Sequence, residues 1–385
     1  MGGYIISREN LPHFSMEEAA KHSISGLSSG AFMAVQLHMT HSVDFSGVGI
    51  IAGGPLGCAA SYLDAAATTQ DSCALGALYI AMTPLTSATS PNPRLLAQKA
   101  RELAQEGRID PIERLAGHRI YIFTGTQDSV VHSVVVQGTK AFYEELGVGE
   151  DNIFFSDQVP AGHSIITTNP TDSPLSANQP PYINRGDFIQ SHQILAFIYG
   201  HKKLALLSDQ DEDINSSFNP CKPGAYEPGR LVCFDQKTFL PAEEDWARAC
   251  MGDYGFAYIP KKVYETGKAK GVHVALHGCK QGYDYRNIIA GWVNDANEPP
   301  YGLRYMTTTG YNDMADERDL IILYPQASAA DNARLQNPDG CWDWWGYTTP
   351  EDGGLDYYTR DAVQIRAIYA MFQKLCGIKE ATNHV

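Results

Sequence analysis

The sequence predicts an α/β fold in which a mostly parallel β-sheet is flanked by helices on both faces. Short apolar runs, typical of strands buried on both sides, alternate along the chain with segments of helical spacing. At 385 residues, of which 44% are hydrophobic and 19% charged, the chain can bury a large core. A short strand-like lead, Ser23 to Ser25, enters Gly26-Leu27-Ser28-Ser29-Gly30, and a helical segment follows, which gives the order strand, sharp turn, helix.

The elements can be assigned in chain order from these patterns. The predicted strands are 23–25, 48–52, 120–123, 153–155, 231–234, 256–259, 273–276 and 320–324. The predicted helices are 31–39, 95–106, 109–116, 134–146, 188–199, 311–317 and 359–376. A Pro-, Ser- and Asn-rich loop over 167–182 and a Trp-rich loop over 335–347 interrupt the alternation.

We expect one catalytic domain over 1–385, built from two halves of about 1–203 and 224–385. The segment of about 204–223, an acidic run followed by polar residues, breaks the strand and helix pattern and is predicted to join the halves as a loop. No internal repeat is visible in the sequence.

Composition excludes several kinds of partner and cofactor. The chain has 29 basic and 44 acidic residues, a net charge of −15 and no basic block, so no nucleic-acid or anionic-membrane partner is expected. No apolar run is long enough to span a bilayer. None of the eight cysteines forms a C-x-x-C pair, so neither a zinc ribbon nor a redox dithiol is predicted, and no metal or cofactor is expected.

The cysteines and the N-terminus leave the compartment open. An even number of cysteines in a Tyr-, Asn- and Gly-rich chain favours an oxidising compartment, although buried thiols in a cytosolic enzyme would give the same count. The first residues, MGGYIISREN, carry no signal peptide.

The stretch around Ser28 is the strongest candidate for chemistry. A G-x-S-x-G between a buried strand and a helix is a nucleophile elbow, which lifts the serine out of the sheet edge. The N–H of Ser29 then lies at a helix N-terminus, where negative charge is favoured. The alternative is a Gly- and Ser-containing turn without chemistry.

A nucleophilic serine needs a base to accept its proton and an acid to orient that base. Asp128 follows the predicted strand 120–123, and His163 follows the strand 153–155, which gives the chain order Ser, Asp, His. Because the carboxyl ends of parallel strands share one edge, Ser28, Asp128 and His163 are predicted to cluster there. The alternatives are a helix N-cap for Asp128 and a surface histidine for His163.

The sequence also offers an oxyanion hole, a pair of N–H donors for the developing negative charge. One donor follows the nucleophile, at Ser29, and the second is expected in a loop of the H-G type. Leu276-His277-Gly278-Cys279 is such a loop, but it lies far downstream of Ser28. This rotated order predicts a circularly permuted α/β-hydrolase; the alternative for the loop is an ordinary turn after a strand.

Several stretches together resemble one family, the single-domain, fungal-type poly(3-hydroxybutyrate) depolymerases. They are SISGLSSGAFMAVQLH, GIIAGGPLGCA, IYIFTGTQDSVV, GHS, LHGCKQG, GYNDMADERDLIILYPQA and NPDGCWDWWGY. The resemblance implies a permuted α/β-hydrolase fold, with Ser28 as nucleophile and Asp128 and His163 completing the triad. It also implies the backbone N–H groups of Ser29 and Cys279 as oxyanion donors. Trp344 matches the position that contacts a bound hydroxybutyrate unit.

The same resemblance implies a serine esterase that hydrolyses poly- or oligo(3-hydroxybutyrate) through an acyl-enzyme on Ser28. It further implies disulfides, for which Cys58–Cys73 and Cys279–Cys341 are the candidate pairs. We expect a monomer that is secreted or periplasmic, with no separate polymer-binding domain after the last helix. The alternatives are a feruloyl or acetyl xylan type carbohydrate esterase and a non-catalytic binding protein with this fold.

Overall fold

The structure, a computed structural model, describes residues 4–63, 81–84, 89–200, 227–240, 242–286, 301–331, 336–349 and 356–378. The predicted joining loop of about 204–223 lies outside these residues. The division of one domain into two joined halves therefore stays a prediction.

The described residues form sixteen strands, most of them short. They are β1 (Ile5–Arg8), β2 (Ser15–Met16), β3 (His22–Leu27), β4 (Phe45–Ile51), β5 (Arg119–Phe123), β6 (Ile153–Ser156), β7 (Ile165–Thr167), β8 (Ser173–Pro174), β9 (Ile183–Arg185), β10 (Arg230–Asp235), β11 (Tyr254–Ile259), β12 (Lys268–Ala269), β13 (Gly271–Leu276), β14 (Leu320–Tyr324), β15 (Ala330–Asp331) and β16 (Gln336–Asn337).

The helices are connected to these strands in the alternating order that the sequence predicts. They are α1 (Ser29–Thr40), α2 (Ala60–Leu63), α3 (Pro93–Gln105), α4 (Ser133–Glu145), α5 (Gln190–Tyr199), α6 (Glu243–Ala249), α7 (Lys261–Thr266), α8 (Arg304–Thr308), α9 (Tyr311–Arg318) and α10 (Val363–Leu375). Short 3-10 helices cover Ile112–Gly117, Glu150–Asn152 and Gln236–Phe239.

Nine of the described strands make one large sheet, in the order β1-β10-β11-β14-β13-β3-β4-β5-β6. Every neighbouring pair is parallel except the two pairs that involve β11. The strands β3 to β6, from early in the chain, meet the later strands at the central pair β3–β13. The elbow strand therefore lies beside the strand of the H-G loop while preceding it by nearly two thirds of the chain, as the permuted α/β-hydrolase order predicts.

Helices cover both faces of this sheet. On one face, α1 packs against β3 and β4, with α10 against α1. On the other face, α5 and α9 pack against each other, and the α9 residue Tyr311 stacks on His273 of β13. The strands between the two layers are almost fully buried, so their near-continuous apolar sequences are explained by apolar neighbours on both sides.

Some predicted bounds need correction. The last helix begins at Val363 instead of Thr359, because the Thr359 hydroxyl and carbonyl close a turn with Asp356 and Ala362. The predicted helix 109–116 is a 3-10 helix over Ile112–Gly117 that starts after Pro111. The predicted loop 167–182 contains β8, which joins β7 and β9 in a small separate sheet.

In the part of the chain that the structure describes, no helix has the length and apolar character needed to cross a bilayer. Within the same ranges, no group of three or more His, Cys, Asp or Glu side chains is arranged to hold a metal ion.

Candidate active site

Ser28 occupies the sharp turn between β3 and α1. Its backbone has φ 57° and ψ −126°, a left-handed φ that non-glycine residues rarely adopt and that is typical of a strained functional turn. The N–H of Ser28 donates to the carbonyl of Ile51 at 2.9 Å, and its own carbonyl accepts the N–H groups of Ala31 and Phe32. The side chain is thus fixed at the start of a helix and at the carboxyl edge of the sheet.

The two glycines of the G-x-S-x-G are required by close backbone contacts. A Cβ at Gly26 would lie 2.2 Å from the carbonyl oxygen of Gly30. A Cβ at Gly30 would lie 2.4 Å from the carbonyl oxygen of His277. The elbow therefore depends on glycine at both positions, and it brings the start of α1 directly against the end of β13.

Asp128 and His163 form a buried pair at the same edge. His163 Nδ1 lies 2.8 Å from Asp128 Oδ2, and their side chains are 2% and 1% exposed. Because a carboxylate only accepts, Nδ1 carries the proton and Nε2 is left as an acceptor. The other carboxylate oxygen, Oδ1, accepts the N–H groups of Val130 and Val131 at 2.8 and 2.9 Å. Asp128 thus caps its own turn and also orients the imidazole, while the N-cap of the following helix α4 is His132 and not Asp128.

Asn178 holds the loops of this pair together. Its Oδ1 accepts the N–H of His163 at 2.8 Å and the N–H of Ser129 at 3.1 Å. Its Nδ2 donates to the carbonyl of Gln127 at 2.9 Å. One side chain therefore bonds to both neighbours of Asp128 and to the backbone of His163.

His277 fixes the orientation of the peptide group that joins Gly278 to Cys279. The N–H of Ala327 donates to His277 Nε2 at 3.1 Å, so the ring proton lies on Nδ1, which donates to the carbonyl of Gly278 at 2.7 Å. The N–H of Cys279 points away from that carbonyl, because the two groups are trans across the peptide bond. Burial lowers the pKa of His277 to about 4, so this neutral arrangement persists at neutral pH.

Two N–H groups at this edge have no acceptor among the described residues. They belong to Ser29, at the start of α1, and to Cys279, after the H-G turn. The loop of Cys279 lies close to the elbow, since a Cβ at Gly278 would be 3.3 Å from Ser28 Cβ. Together these groups can stabilise negative charge on an oxygen held beside Ser28.

A disulfide between Cys279 and Cys341 connects the oxyanion loop to the Trp-rich loop, which confirms this predicted pair. Trp342, fully buried, adds a second connection by donating from Nε1 to the carbonyl of His277 at 3.0 Å. The expected bond between Cys58 and Cys73 is not borne out: Cys58 is a buried free thiol, and Cys73 lies outside the described residues.

Trp344 lies next to the elbow helix but is buried. Its indole stacks on the ring of Phe32, four residues after Ser28, with centroids 3.9 Å apart, and it is 2% exposed. The loop that carries it is organised by Asp343, whose carboxylate accepts the N–H groups of Trp345, Gly346, Tyr347 and Thr348 and the hydroxyl of Thr348. A role for Trp344 in contacting substrate stays a prediction.

The structure brings Ser28, Asp128, His163 and Cys279 to the carboxyl edge of the sheet, but the hydrogen bond between Ser28 and His163 is not formed. Asp128 and His163 are bonded, and Ser28 and Cys279 belong to loops in contact with each other. No hydrogen bond joins Ser28 Oγ to His163 among the described residues, and such bonds often tighten only when substrate is bound. The sequence reasoning missed Asn178 and Gln281 as positioning residues, although Gln281 lies within the LHGCKQG stretch.

The chain is similar in sequence to individual known proteins, although no protein-family model matches it. A poly(3-hydroxybutyrate) depolymerase from Delftia acidovorans is 30% identical over 375 residues, which is 97% of this chain and 63% of that protein. A polyhydroxybutyrate depolymerase from Talaromyces funiculosus is 28% identical over 359 residues, which is 90% of this chain and 88% of that protein. The chain thus spans less than two thirds of the Delftia relative.

Solved structures are similar over nearly the whole chain. A PHB depolymerase with a serine-to-alanine substitution, complexed with an R3HB trimer, has a TM-score of 0.72 and 25% identity, covering 97% of this chain and 100% of that one. The crystal structure of PHB depolymerase from Penicillium funiculosum has a TM-score of 0.71 with the same identity and coverage.

Proposed function

We propose that this chain, which is 28–30% identical over most of its length to proteins named poly(3-hydroxybutyrate) or polyhydroxybutyrate depolymerases, is a serine esterase of that family that hydrolyses ester bonds of poly- or oligo(3-hydroxybutyrate). The observation that carries the proposal is the buried pair His163–Asp128, at 2.8 Å, at the same sheet edge as the strained Ser28 turn. A non-catalytic protein with this fold would have no need for such strain.

Ser28 is the proposed nucleophile. Its Oγ attacks the ester carbonyl while its proton passes to His163 Nε2, the ring nitrogen left free by the bond from Nδ1 to Asp128. Asp128 holds the imidazole in that tautomer and stabilises its positive charge once the proton has moved.

The tetrahedral intermediate places negative charge on the former carbonyl oxygen. We assign its stabilisation to the N–H groups of Ser29 and Cys279, supported by the N-terminal end of α1. His163 then gives its proton to the leaving alkoxide, and the acyl group remains on Ser28. Water, deprotonated by His163, attacks this ester and releases the 3-hydroxybutyryl unit as its acid.

Trp344 is proposed to provide apolar surface for the methyl and methylene groups of the polyester. The support is its place on the loop that Cys341 ties to Cys279, and its stacking on Phe32 of the elbow helix. Because only 2% of Trp344 is exposed, this contact would require Trp344 to become accessible at the cleft.

We further propose that the protein acts outside the cytoplasm, secreted or periplasmic, as a monomeric single catalytic domain without a metal or other cofactor. The disulfide Cys279–Cys341 supports the compartment, because such bonds persist mainly in oxidising environments.

The proposal is tested by the products released from a poly(3-hydroxybutyrate) film, compared with those from a soluble hydroxybutyrate dimer. We expect 3-hydroxybutyrate and short oligomers, and covalent labelling of Ser28 by a fluorophosphonate. Ser28→Ala should fold normally, resist the label and lose activity by a factor on the order of 10⁶. Release of ferulate or acetate from plant polysaccharide without action on the polyester would favour the carbohydrate esterase, and an unlabelled Ser28 the binding protein.

A further inference from the structure

We propose that Gln281 is a positioning residue that couples the second oxyanion donor to the segment packed against His163. This inference rests on the proposed function, because it concerns the geometry of the same reaction. Gln281 follows the H-G turn after β13 and is 2% exposed, so its amide must be satisfied within the protein.

One end of the Gln281 amide binds the oxyanion loop. Gln281 Oε1 accepts the N–H of Gly278 at 2.6 Å. Gly278 and Cys279 have adjacent backbone N–H groups, and this bond provides an acceptor for the first of them. Only the N–H of Cys279 is then left without an acceptor among the described residues. Because Gly278 lies against Ser28, any shift of this loop changes the position of the oxyanion donor relative to the nucleophile.

The other end of the amide binds a segment from the first half of the chain. Gln281 Nε2 donates to the carbonyl of Pro181 at 2.6 Å and lies 3.4 Å from the carbonyl of Tyr182. The ring of Tyr182 packs edge-on against His163, with centroids 5.4 Å apart. The Tyr182 carbonyl also accepts the N–H of Ile165, two residues after His163.

A glutamine is suited to this place because its amide accepts at one atom and donates from the other without carrying charge. Glutamate could still accept from Gly278 but could not donate to Pro181. Methionine has a similar length and can do neither. The two substitutions therefore separate the bond within the oxyanion loop from the bond that couples it to the histidine segment.

The chain offers a matched control in Asn312, which is 3% exposed. Its Oδ1 accepts the hydroxyl of Tyr324 in β14 at 2.7 Å, and its Nδ2 donates to the carbonyl of Met306 in α8 at 2.8 Å. Asn312 is thus a buried amide that accepts at one end and donates at the other, with neither bond to the residues proposed for catalysis. Replacing it tests what the loss of a buried amide does to folding alone.

The experiment measures kcat and KM on p-nitrophenyl butyrate, the inhibition constant of butylboronic acid and the thermal midpoint for each variant. The boronic acid adds to Ser28 and places an oxygen where the oxyanion forms, so it reports the oxyanion hole directly. We expect Gln281→Met to lower kcat by about 10- to 100-fold, below the full cost of a lost donor, and to weaken the boronate by a similar factor. KM should change by less than about threefold, since the bond matters mainly in the transition state.

Gln281→Glu, which keeps the acceptor for the Gly278 N–H, should lower kcat by about 10-fold. If Gln281→Met does not fold, the Gln281→Glu variant tests the inference by itself. Asn312→Leu should lower the thermal midpoint without changing kcat or the boronate constant. Normal kcat and boronate binding in folded Gln281→Glu or Gln281→Met would overturn the inference and leave the proposed function intact. A wild-type chain that neither hydrolyses the ester nor reacts with a fluorophosphonate would overturn the proposed function, and this inference with it.

Discussion

Asn178 Oδ1 accepts the backbone N–H of His163 at 2.8 Å, while the same side chain bonds to the residues on both sides of Asp128. The orientation of the imidazole is therefore fixed from two directions, by the carboxylate at Nδ1 and by the amide at the backbone. Neither bond is apparent from local sequence, because each joins loops that follow different elements.

Replacing Asn178 should change the position of His163 more than it lowers the stability of the fold. We expect Asn178→Ala to lower kcat/KM by about 10- to 100-fold, because a small displacement of a catalytic group is costly. Asn152→Ala is the matched control, since the Asn152 amide donates to a single carbonyl, that of Ala116, at 3.1 Å. Kinetics on p-nitrophenyl butyrate and thermal midpoints should show loss of activity only for Asn178→Ala. A lower midpoint with normal kcat/KM would make Asn178 a merely structural residue.

The sequence predicts the fold because local signals agree with the topology. Strand-like segments that lead into Ser28, into the loop of Asp128 and into the H-G turn identify strands, and the carboxyl ends of parallel strands lie at one edge. The order of these segments is enough to predict the permuted arrangement. The pair Cys279–Cys341 was predicted from family resemblance, since spacing alone does not define connectivity.

Other features depend on contacts that no local pattern encodes. Gln281 bonds to the carbonyl of Pro181, which is 100 positions away in the chain, and any buried glutamine could have served another backbone group. The sequence identifies Trp344 as a large aromatic near the site, but its burial against Phe32 follows from three-dimensional packing. The free thiol of Cys58 is likewise invisible to cysteine counting.

Removing the indole of Trp344 should affect both stability and substrate preference. Trp344→Ala deletes a ring stacked on Phe32, so we expect a loss of about 3–5 kcal/mol in the free energy of unfolding. If Trp344 contacts the polyester, hydrolysis of polymer film should fall more than hydrolysis of p-nitrophenyl butyrate. Phe142→Ala, which removes a fully buried ring from α4, should lower stability without changing that ratio. An unchanged ratio in Trp344→Ala would identify a core residue only.

Breaking the disulfide should lower stability and activity together. The bond Cys279–Cys341 spans 62 residues, so its loss should cost roughly 4 kcal/mol in the chain-entropy account, less any native strain. We expect the double variant Cys279→Ser/Cys341→Ser to have a lower thermal midpoint and a lower kcat, because the Cys279 N–H loses its tether to the Trp-rich loop. A reductant should reproduce this effect in the wild type and have no further effect on the double variant. Full activity of the reduced wild type would contradict the link between the bond and the oxyanion hole.

Buried neutral histidines should make the protein sensitive to acid. Burial is the main cause that lowers the pKa of six described histidines: to about 4 in His22, His118 and His277, to about 3 in His41 and His273, and well below the usual value in His38. Because the unfolded chain binds these protons near pH 6.5 and the folded chain does not, their contribution to stability is complete above pH 6.5 and is lost progressively as pH falls toward 4. Each proton contributes about 1.4 kcal/mol per pH unit to the slope.

Five described aspartates act in the opposite direction, because burial raises the pKa of Asp316 to about 6 and also raises the pKa of Asp110, Asp284, Asp343 and Asp356. Below pH 6 the folded chain binds the Asp316 proton before the unfolded chain does, which favours the fold and offsets one histidine proton.

The net expectation is a urea midpoint that falls between pH 7 and pH 5, with net proton uptake on unfolding. His41→Phe keeps a ring against Tyr369, on which His41 stacks at 3.6 Å, and should reduce the slope by about one proton. Tyr369→Phe alters the same stack without removing a histidine, so it should leave the slope unchanged above pH 5. A urea midpoint that does not vary over this range would show that these histidines do not govern acid stability.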